Sequence, residues 1–117
     1  MRILFVVNDP PYGTEKVYNA LRLAMTLQKE HENVHIRFFF MADGVLSALA
    51  GQETAEGYYN VERMLRAVTR KGGEVALCGS CLDARGLKGA TFVDGCSRGS
   101  MSQLAMWTVE ADNVLTF

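Results

Sequence analysis

The sequence predicts an α/β fold in which a parallel β-sheet lies between layers of helices. Strand-like runs rich in β-branched and aromatic residues alternate with segments whose apolar residues recur at helical spacing. This alternation is typical of βαβ units, whose crossover connections make the strands parallel. Residues 2–8 are apolar almost throughout, which indicates a strand covered on both faces. A chain of 117 residues, 49% of them apolar, is expected to fold as one domain spanning residues 1–117.

The first strand is expected to end at a turn that two prolines impose. Pro10 and Pro11 disfavour helical conformation in the residue that precedes each of them. Thr14 then has the residue type that caps a helix, and apolar residues at helical spacing follow it to residues 29–31. A second strand is predicted at residues 34–41, which include three consecutive phenylalanines.

Two helices are expected between the second and third strands. Asp43 is predicted to cap a short helix, and the glycine-containing polar residues 51–59 are predicted to form a loop. Asn60 is predicted to cap a longer amphipathic helix that the glycine pair at residues 72–73 ends.

The last part of the chain is expected to supply three strands and one helix. Residues 75–77 are predicted as the third strand, residues 91–93 as a weaker fourth and residues 114–117 as the fifth. The segment 100–103, Ser-Met-Ser-Gln, fits a capping box at the start of a helix that extends to Glu110.

Charge and hydropathy exclude several classes of partner. Twelve Lys and Arg against thirteen Asp and Glu give a net charge of −1, without the basic patch of a nucleic-acid binder. No apolar run approaches the roughly 18 residues of a membrane span, and the N-terminal run is too short for a signal peptide. Three cysteines do not suit a secreted disulfide scaffold. We therefore expect a cytoplasmic protein that binds neither nucleic acid nor membrane.

The strongest candidate for chemistry is a pair of cysteines after the third strand. Ligands of parallel α/β sheets bind at the carboxyl ends of the strands, where Cys78-Gly79-Ser80-Cys81 lies at the start of a helical turn. Backbone N–H groups there stabilise a thiolate, to which Arg85 adds positive charge, so Cys78 is a predicted nucleophile. The alternative is that Cys78 is only a buried core residue, since free cysteine commonly packs as a small apolar side chain.

Neither a metal nor a cofactor is expected. The cysteine pair fits part of a metal site, but structural zinc normally takes four ligands. Cys96 could approach the same edge as a third, whereas His31 and His35 lie at the entry to the second strand, at the opposite edge. The chain contains neither of the glycine patterns that hold nucleotide phosphates.

Three more residues are expected to line the same edge of the sheet. Asn8 and Tyr12 follow the first strand, and Asp43 follows the second, although an acid at that position also suits a helix N-terminus. The phenylalanines 38–40 and Trp107 are assigned to the core or to a subunit interface.

Several short motifs occur in the order found in a known family. They are Pro-Tyr-Gly-Thr-Glu at 11–15, Met-Ala-Asp at 41–43, Gly-Tyr at 57–58, Leu-Cys-x-x-Cys-x-Asp-x-Arg-Gly at 77–86, Asp-Gly at 94–95, Leu-Ala-x-Trp-Thr at 104–108, and Ala-Asp-x-Val-Leu-Thr-Phe at 111–117. With this set the whole chain resembles the DsrE/DsrF-like family, and most closely its YchN-like branch. The resemblance implies a three-layer α/β/α, flavodoxin-like fold with a five-stranded, mostly parallel sheet. It also implies homotrimers that pair as homohexamers.

The resemblance also implies a function. In the sulfur-relay subunits of the TusD/DsrE type, the cysteine after the third strand accepts sulfane sulfur as a persulfide and hands it on, and Cys78 matches that position. Cys81 matches the second cysteine of the YchN-like branch, and its thiol could discharge a persulfide on Cys78 as a disulfide. We therefore expect a sulfur carrier with sulfur-donor and sulfur-acceptor proteins as partners. It needs no prosthetic cofactor, because the thiolate itself does the chemistry.

Two other functions remain open at this point. One is an oligomeric module that binds a small ligand or a protein at the same edge without catalysis. The other is a redox protein that cycles Cys78 and Cys81 between dithiol and disulfide, although both thiols are expected to be reduced at rest in the cytosol.

Overall fold

The computed structural model describes all 117 residues as a five-stranded sheet flanked by helices. The strands are β1 (Arg2–Val7), β2 (His35–Phe40), β3 (Glu74–Cys78), β4 (Cys96–Gly99) and β5 (Asn113–Thr116). The α-helices are α1 (Lys16–Glu30), α2 (Val61–Arg70), α3 (Gly79–Ala84) and α4 (Met101–Glu110), and a 3₁₀ helix spans Ala42–Ala48. None of these helices combines the length and apolar character needed to cross a bilayer.

The sheet is parallel throughout, with strand order β4-β3-β2-β1-β5. Strands β1 to β4 are added in one direction, and β5 returns to the free side of β1. Because such crossovers are right-handed, the return connection through α4 lies on the opposite face from α1 and α2. The packing agrees, since α1 contacts α2 and α2 contacts the 3₁₀ helix, which in turn contacts α3. The predicted three-layer α/β/α architecture with a five-stranded parallel sheet is confirmed.

The three consecutive phenylalanines form the centre of the core. Side chains alternate between the faces of a strand, so Phe38 and Phe40 share one face and Phe39 lies on the other. The Phe38 ring stacks on Phe5 with centroids 4.5 Å apart, whereas Phe39 meets Trp107 of α4 edge-on at 6.4 Å. All four of these rings are buried within this chain. Phe38–Phe40 and Trp107 are therefore core residues, and they leave any subunit interface to other side chains.

The predicted fourth strand is wrong. Residues 91–93 have the composition of a strand, but Phe92 makes only an isolated antiparallel bridge with Leu49. The strand beside β3 is instead Cys96–Gly99, a polar segment at the edge of the sheet. Its extended conformation comes from pairing with β3, whereas residue preference would favour 91–93, because strand formation depends strongly on tertiary context.

Two of the predicted helix caps are confirmed. The side chain of Asn60 accepts a hydrogen bond from the N–H of Arg63 at 3.0 Å, and that of Ser100 accepts from Gln103 at 3.2 Å. Thr14 lies one residue further from its helix than predicted and accepts from the N–H of Lys16 at 3.2 Å.

The prediction that Asp43 caps a helix is wrong. The 3₁₀ helix follows Met41, and no side chain caps it, so Asp43 lies within its first turn. The Asp43 carboxylate is instead paired with Arg85 at the end of α3. That pair brings the carboxyl ends of β2 and β3 together.

Candidate functional site

The structure places Cys78 where β3 ends and α3 begins. Cys78 is the last residue of the strand and precedes Gly79, the first residue of the helix. Its Sγ accepts a hydrogen bond from the N–H of Cys81 at 3.4 Å and lies 3.4 Å from the Ser80 hydroxyl oxygen. The residue is 8% exposed. The local geometry thus supplies hydrogen-bond donors to a sulfur that is nearly, but not fully, shielded from solvent.

The two cysteines of the motif are in direct contact through their sulfurs. The Cys81 thiol donates to the Sγ of Cys78 with a sulfur–sulfur distance of 2.6 Å, and both cysteines are free. A disulfide bond is about 2.05 Å long, so the two sulfurs are close enough to form one once an external oxidant takes up two electrons. The residue spacing of three places both sulfurs on one side of the first turn of α3.

The two thiols are electrostatically unequal. Burial disfavours a charge on Cys78, but hydrogen bonds from Cys81 and Ser80 outweigh it and lower the pKa of Cys78. Burial and then the hydrogen bond to Cys78 raise the pKa of Cys81. Cys78 is therefore the more acidic thiol of the pair and the one that ionises first, and Cys81 donates its proton to the Cys78 sulfur.

A strained residue of the neighbouring strand end also binds the pair. Ala42, just after β2, has a φ of 51°, a left-handed conformation that is rare for residues other than glycine. In this conformation its N–H donates to the Sγ of Cys81 at 3.2 Å. Such a conformation costs on the order of 1 kcal/mol, and strain of this kind clusters at functional sites. Nothing in the residue type of Ala42 indicates this role in the sequence.

Arg85 lies beside Cys81 and not, as expected, beside Cys78. Its Nε and Nη2 both lie 2.9 Å from one carboxylate oxygen of Asp43, and Nη1 donates to the carbonyl of Cys81 at 3.0 Å. Burial and the contact with Cys78 raise the pKa of Cys81, whereas the N–H of Ala42 and, to a lesser degree, the Arg85 charge favour its thiolate. Asp43 thus belongs to the edge of the sheet that carries the cysteines, as the holder of Arg85.

The arginine on the Cys78 side is Arg98 of β4, which sequence reasoning missed. Its Nη1 and Nη2 donate to the two carboxylate oxygens of Asp83 at 2.9 and 2.6 Å. Its guanidinium also lies against Gly79, where a Cβ atom would come within 2.8–2.9 Å of Nε, Cζ and Nη2. Gly79 is therefore required for this close approach. The pKa of Arg98 is raised, first by the hydrogen bond to Asp83 and to a lesser degree by the charge of Cys78.

Two of the other expected site residues serve different parts of the edge. The backbone of Asn8 binds the chain end, since its N–H donates to the carbonyl of Phe117 at 2.9 Å. The Tyr12 hydroxyl is bonded to the side chain of Gln52 and accepts from the N–H of Val61 at 3.1 Å. Tyr12 also lines a cavity of about 530 Å³ that contains neither cysteine. The structure thus does not bring Asn8 or Tyr12 into contact with the sulfurs.

Cys96 lies at the other end of its strand. It pairs with Val75 at the start of β3, whereas Cys78 pairs with Gly99 three residues further on, which corresponds to about 10 Å. The expectation that Cys96 approaches the edge with Cys78 is therefore wrong, because β4 starts at Cys96 and does not precede it. Burial raises the pKa of Cys96 to about 12. No group of three or more His, Cys, Asp or Glu side chains converges to hold a metal ion.

Comparison with known proteins relates the chain to a family. The model of the DsrE/DsrF-like family matches residues 1–117. Protein YchN of Escherichia coli strain K12 is 42% identical over 116 residues, which are 99% of this chain and 98% of that protein. The crystal structure of the E. coli ychN protein superposes with a TM-score of 0.95 over 100% of this chain and 99% of the other. Sulfurtransferase TusD of Enterobacter sp. strain 638 is a more distant relative, 26% identical over 129 aligned positions that cover 100% of both chains.

Proposed function

The chain belongs to the DsrE/DsrF-like family, and from that premise we propose that it is a sulfur carrier in which Cys78 holds sulfane sulfur as a persulfide. The observation that carries the proposal is the unequal cysteine pair, in which the Sγ of Cys78 accepts from the Cys81 thiol at 2.6 Å. The family membership and the distant similarity to a protein named as a sulfurtransferase both relate the chain to sulfur relay.

The loading step needs only the Cys78 thiolate and a donor. The thiolate attacks the terminal sulfur of a donor persulfide, R–S–SH, and a new bond forms between that sulfur and the Cys78 Sγ. The S–S bond of the donor breaks, and R–S⁻ leaves with its electron pair. The sulfane sulfur changes carriers without a net change of oxidation state, so no oxidant is required. A thiol is a good nucleophile only as a thiolate, and the low pKa of Cys78 favours that form.

The neighbouring thiol supplies a way to discharge the persulfide. The Cys81 thiolate attacks the Sγ of Cys78, expels hydrosulfide with the electron pair and leaves a Cys78–Cys81 disulfide. The sulfane sulfur is reduced to sulfide, and the two thiols are oxidised. The raised pKa of Cys81 keeps it protonated near neutral pH and slows this reaction. Slower discharge gives the persulfide more time to meet an acceptor.

The experiment that tests the proposal is intact-mass analysis after incubation with a persulfide donor. We expect the wild-type chain to gain the mass of one sulfur atom, which reductant removes. Cys78→Ser should abolish the gain, and Cys81→Ser should retain it and prolong it. The matched control is Cys96→Ser, which should load like the wild type because Cys96 lies at the opposite end of β3 from Cys78 and has a raised pKa. Equal loading of the wild type and Cys78→Ser would refute the proposal.

The sulfur–sulfur contact also favours a second candidate function, a dithiol redox protein. The two free thiols, 2.6 Å apart, are close enough to form a disulfide by thiol–disulfide exchange, in which a disulfide of a partner molecule takes up the two electrons and is reduced to thiols. Free thiols persist in a reducing compartment, and we propose that the protein acts in the cytoplasm. A stable Cys78–Cys81 disulfide in protein isolated under cytosolic redox conditions would favour the redox function over the carrier.

We further propose that the chain acts as a homo-oligomer built from trimers, with a hexamer as the assembly. The support is an exposed apolar surface on α4 and β5, where Met101, Met106, Val109 and Val114 are 62%, 54%, 87% and 44% exposed. Methionine is enriched in interfaces, and three of these four side chains belong to the single helix α4, which makes that helix the candidate contact surface. Light scattering at micromolar concentration tests this, and a monomer mass would refute it.

A further inference from the structure

The guanidinium of Arg98 offers unused hydrogen-bond donors beside Gly79, the residue that directly follows Cys78. We propose that Arg98 makes the Cys78 site selective for sulfur compounds that carry an anionic group, such as a carboxylate or a sulfonate, next to the reacting sulfur. The inference deepens the proposed function, on which it rests for the identity of the reaction. The anion selectivity itself follows from the geometry of the guanidinium and is measurable without sulfur transfer.

The orientation of the guanidinium is fixed by Asp83 and Gly79. A guanidinium has five N–H donors, and Asp83 takes one from Nη1 and one from Nη2. The virtual Cβ of Gly79 is almost equally far from Nε, Cζ and Nη2, at 2.8, 2.9 and 2.9 Å, so the flat face of the group lies over that glycine. The Nε–H and the remaining Nη hydrogens have no partner in the protein. Asp83 therefore occupies one edge of the Arg98 guanidinium, and the other edge has no partner. The Arg98 side chain is 51% exposed.

The free edge of Arg98 lies near the crevice at the carboxyl ends of β3 and β4. Gly99, next to Arg98, pairs with Cys78, and Gly79, beneath the guanidinium, directly follows Cys78. The chain leaves β3 into α3 on one face of the sheet and leaves β4 into α4 on the other. Ligands of parallel α/β sheets enter where neighbouring strands continue to opposite faces. Arg98 therefore lies at the entrance of the crevice through which a small ligand would reach Cys78.

A cation beside the Cys78 thiolate favours its reaction with anionic sulfur compounds. A thiolate repels a negatively charged donor, and a guanidinium edge attracts carboxylate and sulfonate groups through two parallel hydrogen bonds. When the thiolate attacks a sulfane sulfur, the other half of the donor leaves with the electron pair and is negatively charged. An N–H edge beside Cys78 stabilises that charge as it develops.

Arg85 is a matched control for Arg98. It is also an arginine paired with an aspartate at the same edge, but its Nε and Nη2 are both directed at Asp43 and its Nη1 donates to the Cys81 carbonyl. The edge that Arg98 leaves free is thus occupied in Arg85. A general effect of positive charge would be shared by both arginines, whereas selectivity at Cys78 would depend on Arg98 alone.

The test compares the rates at which iodoacetate and iodoacetamide alkylate Cys78, followed by peptide mass. Both reagents react with the thiolate at a CH₂ carbon and release iodide, so the fraction of thiolate cancels in the ratio of the two rates. We expect Arg98→Gln to lower the iodoacetate-to-iodoacetamide ratio about two- to fivefold, the size of one half-exposed charge contact. Arg98→Lys should restore part of it, and Arg85→Gln should leave it unchanged.

A second variant removes the edge without removing the charge. Gly79→Ala places a methyl group where the guanidinium lies, and the far end of a flexible side chain can give way without damage to the fold. The ratio should fall here as well, in a protein with the wild-type net charge. An unchanged ratio in both Arg98→Gln and Gly79→Ala would overturn the inference. A wild-type chain that fails to load sulfur but shows the falling ratios would refute the carrier and leave the anion selectivity standing.

Discussion

The Cys81 thiol donates a hydrogen bond to the Sγ of Cys78 across 2.6 Å, while the N–H of the same residue donates to the same sulfur at 3.4 Å. One residue thus provides two of the donors that stabilise the Cys78 thiolate. In the proposed carrier, Cys81 therefore activates Cys78 before a persulfide forms and attacks that persulfide afterwards. The Cys81 proton activates Cys78 only while it is bound to the Cys81 sulfur. Cys81 can attack the persulfide only after that proton has left.

The activating role predicts the effect of Cys81→Ala on the reactivity of Cys78. The variant keeps the backbone N–H but removes the thiol donor, which is the strongest of the influences that lower the pKa of Cys78. The pKa of Cys78 should rise, and the pH profile of its alkylation should move to higher pH. At pH 7 the rate should fall about two- to tenfold, since a neutral hydrogen bond contributes about 0.5–1.5 kcal/mol.

The control for this experiment is Cys96→Ala. Cys96 pairs with Val75 at the opposite end of β3, so its loss should leave the profile of Cys78 in place. A profile that is identical in Cys81→Ala and the wild type would show that the Cys81 thiol does not activate Cys78, and would leave the Ser80 hydroxyl and the backbone N–H groups as its activators.

How far the sequence predicts this molecule depends on whether a feature is local. The strand and helix pattern is local, because burial imposes periods of 2 and 3.6 residues on the apolar positions, and four of the five strands and the caps at Asn60 and Ser100 follow it. The fourth strand is not local. Ser97 and Arg98 have no strand-like character, and they become extended only because the edge of β3 lies beside them.

The candidate site divides in the same way. Cys78 and Cys81 are recognisable because a spacing of three places both sulfurs on one turn. Arg85 is seven residues from Cys78 but four from Cys81, one helical turn on, which explains why it binds the Cys81 carbonyl. Arg98 reaches the site through the register of β3 with β4, and Ala42 through a single left-handed φ. Neither property is written in the local sequence.

The close packing of the strand ends predicts a large effect at Gly44. A Cβ at this position would overlap the carbonyl oxygen of Val7, a backbone atom that cannot move aside cheaply. Gly44→Ala should therefore lower the free energy of unfolding by about 2–4 kcal/mol, measured by urea denaturation. Gly89→Ala is the matched control, since nothing lies within 4 Å of its virtual Cβ, and it should change stability by less than about 0.5 kcal/mol. Similar stabilities of the two variants would contradict this account.

The acid sensitivity of the fold should depend on Glu62. This nearly buried carboxylate accepts hydrogen bonds from the N–H groups of Gly51 and Gln52 at 3.0 and 2.8 Å and pairs with Arg66 at 2.9 Å. Burial raises the pKa of Glu62, but these hydrogen bonds and the Arg66 charge outweigh it, so the pKa lies below its ordinary value. Since the pKa is lower in the folded than in the unfolded chain, the stabilisation is present above the unfolded pKa of about 4.3 and is lost as the pH falls through the folded pKa.

Glu62→Gln should therefore lower the free energy of unfolding at pH 7 by about 1–2 kcal/mol, and the difference from the wild type should shrink as the pH falls below about 4. Chemical denaturation at a series of pH values measures both effects. Glu56→Gln changes an exposed glutamate of the same loop region and should leave the stability curve unchanged. A Glu62→Gln deficit that is constant from pH 7 to pH 3 would show that the charge of Glu62 is not what stabilises the loop.

The attack of Cys81 on a Cys78 persulfide should depend in part on the charge of Arg85. The Arg85 cation favours the Cys81 thiolate against burial and against the charge of Cys78, so Arg85→Gln should raise the pKa of Cys81 further. In a Cys78→Ser background, the alkylation of Cys81 should slow about two- to fivefold at pH 7, the size of a partly exposed charge contact. The difference should vanish at a pH high enough to ionise Cys81 in both proteins. Arg22→Gln, which removes an arginine bound to Asn19 on α1, is the control and should have no effect.

Because only the Cys81 thiolate attacks the persulfide, Arg85→Gln should also prolong the persulfide on Cys78 in the otherwise wild-type chain. Slower alkylation with an unchanged persulfide lifetime would mean that sulfur leaves Cys78 by a route that does not pass through Cys81.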